Sequence, residues 1–395
     1  MTPTLFDPDR LRRMHDTMAG YVQRGDLPGI VTLVSRGDEL HVDTHGTLAF
    51  DSAAPMQRDT IFRIASMTKP ILAVGALILI EECRMQLDDA VSKWLPELAD
   101  MHVLRDWQGP LDDTVPAERD ITVRDVLTYR IGSGMAFPDG DESIPILQAL
   151  EEQELSVLGG ERTMLTQDAW LSRFGSLPLM TQPGATWHYH TSAFVLAALV
   201  SRVSGQPMHD FLHERIFEPL GMHDTAFQIT DADLPRLTTA YNGDMTVFDG
   251  VEDSQWRTSP SFPTGGGELL STVGDYLAFS RMLMNEGSHN GTRILARPTV
   301  LAMCTDMITA EQRASSPNGN MFLGNLGWGM GVAVIKERDS THASPGAITW
   351  SGGFGTSWRA DPSEDLHAIL MTQGVGFTSG IYDAFWTSVY QALGD

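Results

Sequence analysis

Ser66 and Lys69 stand three residues apart in Ile64-Ala65-Ser66-Met67-Thr68-Lys69-Pro70, just ahead of an apolar run from Ile71 to Ile80. On a helix, residues at this spacing share a face, so the serine hydroxyl and the lysine amine can meet. A serine hydroxyl needs a base to act as a nucleophile, and a free lysine with a pKa of about 10.4 is mostly protonated at neutral pH. Burial or a neighbouring cation lowers that value, and the apolar run offers burial. Pro70 lacks an N–H and clashes with the carbonyl four residues back, so it is tolerated only in or beside the first helical turn. Ser66 therefore falls at a helix N-terminus, where unpaired N–H groups and the positive end of the dipole favour an oxyanion. The alternative is an ordinary N-cap serine beside a snorkelling surface lysine. Against it, Lys69 is one of only three lysines, with Lys93 and Lys336, among 27 basic residues.

Other chemistry is weakly supported. The chain has no G-x-S-x-G nucleophile elbow and no H-E-x-x-H. His209 and His213 lie four apart without an accompanying carboxylate motif, and His188 and His190 form an H-x-H pair without a third ligand nearby, so no metal is expected. Cys83 and Cys304 are too few for a disulfide framework and read as two buried thiols. A formal charge of −24 opposes binding to nucleic acid and to anionic membrane surfaces. The N-terminus shows no continuous apolar h-region and the longest apolar run is too short to span a bilayer, so a cytoplasmic location is the expectation.

The elements that must position Ser66 and Lys69 sort by periodicity. Helical spacing occurs over 9–24, 121–130 with Thr122 as cap, 192–204 stopped by Gly205, 208–217, 275–285, 298–306 and 382–393. Strand-like runs occur at Ile30 to Val34 and His41 to Thr47, joined by a turn at Arg36-Gly37-Asp38, and at 328–335, 347–350, 357–360 and 366–372. Residues 87–98 form an amphipathic segment, 100–118 a polar loop, and 137–184 a loop-rich acidic stretch with one helix-like piece, DAWLSRF. Strands thus sit at both ends and helices in the middle. The expected class is α+β, with an antiparallel sheet formed from both chain ends (1–80 and 270–395), a mostly helical inserted domain over 81–269, and the active site at their junction.

Two further stretches complete a pattern: Gln182-Pro183-Gly184-Ala185-Thr186-Trp187-His188-Tyr189-His190-Thr191-Ser192, and Trp350-Ser351-Gly352-Gly353-Phe354-Gly355-Thr356-Ser357-Trp358. In order and rough spacing, S-x-x-K, then PG..W.Y-x-x-S, then W-x-G-G resembles the serine hydrolases built like class C β-lactamases and penicillin-binding proteins. Within that superfamily it is most similar to the family VIII carboxylesterases. The resemblance implies a β-lactamase/transpeptidase-like fold, Ser66 as nucleophile, Lys69 as its base and Tyr189 as a second acid/base group. It implies an oxyanion hole from the backbone N–H groups of Ser66 and Gly353, with no cofactor. Physically, a tyrosinate becomes accessible beside an ammonium group.

Where the lactamases carry Lys-Thr-Gly, this chain has Trp350-Ser351-Gly352, and their Y-x-N reads Tyr189-His190-Thr191. A tryptophan offers one N–H and a large apolar face, so it cannot replace a lysine that binds a carboxylate. The departures point away from anionic β-lactams and toward a neutral small-molecule ester with a short or medium acyl chain. Trp350, Ser351, Gly352, His190, Thr191 and Tyr129 are the expected pocket residues, with walls from loops 137–184 and 228–264. An acyltransferase, a D-amino-acid peptidase or amidase, and a weak β-lactamase would use the same three side chains. An inactive binding scaffold is the reading from another class. The sequence leaves the oligomeric state open.

Overall fold

A computed structural model describes residues 5–137, 144–155, 162–317, 319–324, 326–374 and 380–394. Helix α1 (Pro8–Gln23) starts where the Asp7 carboxylate accepts the N–H groups of Asp9 and Arg10, with Pro8 in the first turn. Strands β1 (Gly29–Arg36) and β2 (Glu39–Gly46) follow as a hairpin with Arg36 opposite Glu39. Helix α2 (Thr68–Glu81) carries Lys69 and is buried from Thr68 to Leu79, as an all-apolar helix must be. Helix α3 (Thr191–Ser204) packs against α2 and ends at Gly205; helix α4 (Val273–Met284) packs on the sheet.

The sheet is completed by β3 (Leu326–Trp328), β4 (Ala333–Ile335), β5 (Ile348–Gly352), β6 (Thr356–Asp361) and β7 (Leu366–Met371). Its seven strands run β3-β4-β5-β6-β7-β1-β2, every pair antiparallel, so the first strand lies beside the last. Strand β1 is apolar on both faces because both are covered. Ile30 and Val34, with Ala368 and Leu370 of β7, join the core under α1 and α5 (Ile381–Gln391). Val31 and Leu33, with Ile369 and Met371, join the larger core that contains α2, α3 and α4. The sheet drawn from both termini, with helices between, is as expected.

Several local expectations change. Residues 102–116, read as loop, contain a hairpin of His102–Leu104 with Thr114–Pro116, whose alternation is too short to register in sequence. The run 328–335 is two strands, because the chain reverses between Trp328 and Ala333 to pair them. The 87–98 segment holds two 3₁₀ turns, and a helix Pro145–Glu152 accompanies the expected one at Gln167–Gly175. Residues 138–143 and 156–161 of the expected pocket loop lie outside the described residues. Thr122 does cap its helix, in a reciprocal box with Asp125. The cysteines are not two buried thiols: Cys83 is exposed in the left-handed turn after α2, and Cys304 is only partly buried. Among the described residues no helix is long and apolar enough to cross a membrane.

Strand β5 ends against the turn that leads into α2. A Cβ at Gly352 would lie 2.2 Å from the Ile64 carbonyl oxygen, and the Thr356 hydroxyl donates to that same oxygen at 3.1 Å. Only glycine permits this approach of strand to turn. Gly352→Ala is expected to push the two apart, costing about 1–3 kcal/mol; it should lower the melting temperature by several degrees in calorimetry.

Candidate active site

Ser66 sits in a single 3₁₀ turn (Ala65–Met67) that runs directly into α2. Ala65 is left-handed, with φ of 45°, which turns the chain sharply before the serine. Four contacts hold this turn and the start of α2. The Ile64 N–H donates to Leu269 O at 3.0 Å, Tyr276 of α4 donates its hydroxyl to Met67 O at 3.0 Å, the Leu269 N–H donates to Thr68 Oγ1 at 3.3 Å, and β5 abuts Ile64.

Lys69 is buried, and its Nζ donates to Ser66 Oγ at 3.0 Å and to the carbonyl of Gly266. That carbonyl belongs to the loop Thr264-Gly265-Gly266-Gly267-Glu268. Gly265 is left-handed there, and a Cβ on it would lie 2.4 Å from Leu72 of α2, so the loop reaches the lysine only with glycine at this position. Burial pushes the Lys69 ammonium down to about 7, and the negative charge of Glu268 opposes the fall. Glu268 is itself buried, which pushes its carboxyl up to about 7 against the Arg162 charge and the N–H groups of Thr264 and Gly265; the Thr264 N–H lies 2.6 Å from Oε2. No motif marked Glu268, although a carboxylate directly after three glycines was a readable signal.

Tyr189 joins from the segment before α3. The Met135 N–H anchors its carbonyl at 2.9 Å, and His190, with φ of 84°, bends the chain into the helix behind it. The Tyr189 hydroxyl hydrogen-bonds Ser66 and accepts the Trp350 indole N–H at 3.0 Å, and Lys69 Nζ lies 5.0 Å from its ring centre. Burial raises its pKa and outweighs the two hydrogen bonds, so the residue is a neutral phenol. The expectation of an accessible tyrosinate is corrected here: Lys69, not Tyr189, ionises near neutral pH, because burial disfavours an anion and an ammonium alike.

The other expected residues separate. Trp350 is buried edge-on to Trp328 at 4.8 Å, with its indole N–H on the tyrosine. Tyr129 is buried too, stacked behind Tyr189 at 6.3 Å and edge-on to Trp328 at 4.8 Å. With Trp187 at 5.8 Å and Phe322 at 4.3 Å from Tyr189, these rings form an aromatic bed that sequence order scatters over 200 positions. Ser351 Oγ pairs with Ser357 Oγ at 2.8 Å across β5 and β6, and Gly353 is exposed in the turn after Gly352. Thr191 opens α3, and the His190 ring packs on Phe194 at 5.1 Å. His188 is buried, bonded to Thr181 Oγ1 at 2.9 Å, and held down to about 4 by burial.

A buried amine bonded to a serine hydroxyl, with a neutral phenol on the same oxygen, suits acyl transfer through the serine. A family model described as Beta-lactamase matches residues 14–388. The chain belongs to the Beta-lactamase family. It is a serine hydrolase of that family, with the β-lactamase/transpeptidase-like fold that its motifs implied. Among its relatives, Protein Rv1367c of Mycobacterium tuberculosis is 38% identical over 357 residues, covering 88% of this chain and 86% of its own. Esterase EstB of Burkholderia gladioli is 28% identical over 399 residues, with 94% and 93% covered. The solved structure of EstCE1, described as a hydrolase with promiscuous acyltransferase activity, superposes with a TM-score of 0.79 at 23% identity, over 96% of this chain and 98% of that one.

The neutral amine is the form able to take a proton from Ser66, so kcat/KM for an uncharged ester is expected to rise with pH through an ionisation near 7. Removing the Glu268 charge in Glu268→Gln takes away what favours the ammonium, so this acidic limb should move to lower pH; a limb that stays in place or moves up removes Glu268 from the account. Trp350→Phe keeps the ring packing but deletes the N–H on Tyr189, and should lower kcat about tenfold, the size of one hydrogen bond of ~1.4 kcal/mol, readable in steady-state ester hydrolysis.

Proposed function

We propose that this protein is a serine carboxylesterase that hydrolyses neutral esters with short to medium acyl chains through an acyl-enzyme on Ser66. The observation that carries the reading is the contact of Ser66 Oγ with a buried Lys69 amine whose pKa lies at about 7. The amine takes the Ser66 proton as Oγ attacks the ester carbonyl, and the N–H groups of Ser66 and Gly353 hold the oxyanion. Tyr189, a neutral phenol fixed by Trp350, passes a proton to the leaving alcohol and is reprotonated from Lys69. Water enters by the reverse of these transfers, releases the acid and restores Ser66. The residues on this path lie between the sheet-bearing termini and the helical middle of the chain, which we take as the two domains, 1–80 with 270–395 and 81–269.

The preference for a neutral ester rests on Trp350. It fills the position of the lactamase lysine and spends its only N–H on Tyr189, so it offers no cation to a substrate carboxylate. The esterase name of the EstB relative is in keeping with this. A second reading, transfer of the acyl group to an alcohol instead of water, uses the same acyl-enzyme and is in keeping with the acyltransferase activity named for EstCE1.

Hydrolysis of p-nitrophenyl acetate to octanoate tests the proposal. The native protein should turn these esters over and prefer them to a chromogenic cephalosporin, and Ser66→Ala should lose at least a thousandfold in kcat. Native inactivity on all the esters, or activity kept by Ser66→Ala, overturns it. Adding an alcohol acceptor and measuring the ester product against the free acid decides between transfer and hydrolysis.

A further inference from the structure

The strand β2 that closes one edge of the sheet carries alternating carboxylates and imidazoles on one side, Glu39, His41, Asp43 and His45. Helix α1 packs beside it and presents His15. His15 Nδ1 lies 2.7 Å from Asp43 Oδ2, and His45 Nε2 lies 3.0 Å from the same oxygen. The other carboxylate oxygen, Oδ1, accepts the Thr44 N–H at 3.0 Å, which fixes Oδ2 toward the two rings. The rings are 4.6 Å apart between centres and inclined at 61°, so they converge on one point rather than stack. One potential ligand atom from each of the three side chains falls within 4.8 Å of the others, the only such group among the described residues.

Two imidazole nitrogens and a carboxylate oxygen suit a borderline divalent cation. Bonds of about 2.0 Å in a tetrahedron separate ligand atoms by about 3.3 Å. The two N···O distances of 2.7 and 3.0 Å therefore need to open by roughly half an ångström or less, while the two nitrogens, within 4.8 Å of each other, settle to the same spacing by small ring rotations. His45 is nearly buried while the His15 side chain is half exposed, which gives the site a fixed floor and an entry from solvent. A high negative charge on the chain raises the local cation concentration.

We propose that His15, Asp43 and His45 form a binding site for a single divalent transition cation of the zinc type, with water as the fourth ligand, that clasps α1 to the sheet edge. The site lies four strand spacings from β5, on the order of 20 Å, so its role is structural and separate from Ser66.

The test uses the full-length protein stripped of metal and titrated with zinc chloride. Calorimetry should record one site per chain at micromolar zinc, with a rise in melting temperature, and the esterase rate should not change. His15→Ala, at an exposed position, and Asp43→Asn should each weaken binding at least tenfold and remove the melting shift while the ester rate stays native. Native protein that takes up no zinc, or either variant that binds it as the native protein does, overturns the proposal.

Discussion

The site depends on keeping an amine dry. Lys69 has its stem inside the core of α2 and its Nζ between the Ser66 hydroxyl and the Gly266 carbonyl. Desolvation brings it to a value at which it exchanges a proton at neutral pH, and the neighbouring Glu268 limits how far it falls. Every other element near the site serves this condition. Glycines bring the 264–268 loop to the helix, the aromatic bed shuts the far side, and β5 seals the turn that carries the serine.

Burial has different consequences for Lys69 and the two ionisable groups beside it. It lowers the lysine, raises Glu268 to the same range, and drives Tyr189 out of reach of ionisation. Labour is thereby divided: one group titrates and takes the proton, and the phenol remains a donor that passes it on. The indole of Trp350 contributes by orientation, because a donor on the tyrosine oxygen leaves the phenolic proton to face the serine.

Much of this was legible because it is local. The S-x-x-K spacing and Pro70 put Ser66 in the turn ahead of a buried helix, and the alternation near each terminus gave a sheet made of both ends. The unread part is long-range. Trp187, Phe322 and Trp328 gather with Tyr129, which was expected near the site, around Tyr189 only because distant turns bring them there, and each of the three alone looks like ordinary core. The tyrosinate argument failed for a related reason. It counted the neighbouring charge, visible as a motif, and omitted desolvation, which depends on the whole surrounding fold.

Strand β1 pairs with β7, whose residues are the last of the sheet to leave the ribosome, and the glycine that seals the Ser66 turn comes only a little earlier. Ser66 and Lys69 are neighbours in the chain, but the dryness that makes the amine a base is completed by residues from the opposite end of the sheet, so nucleophile and base become a working pair only through long-range assembly.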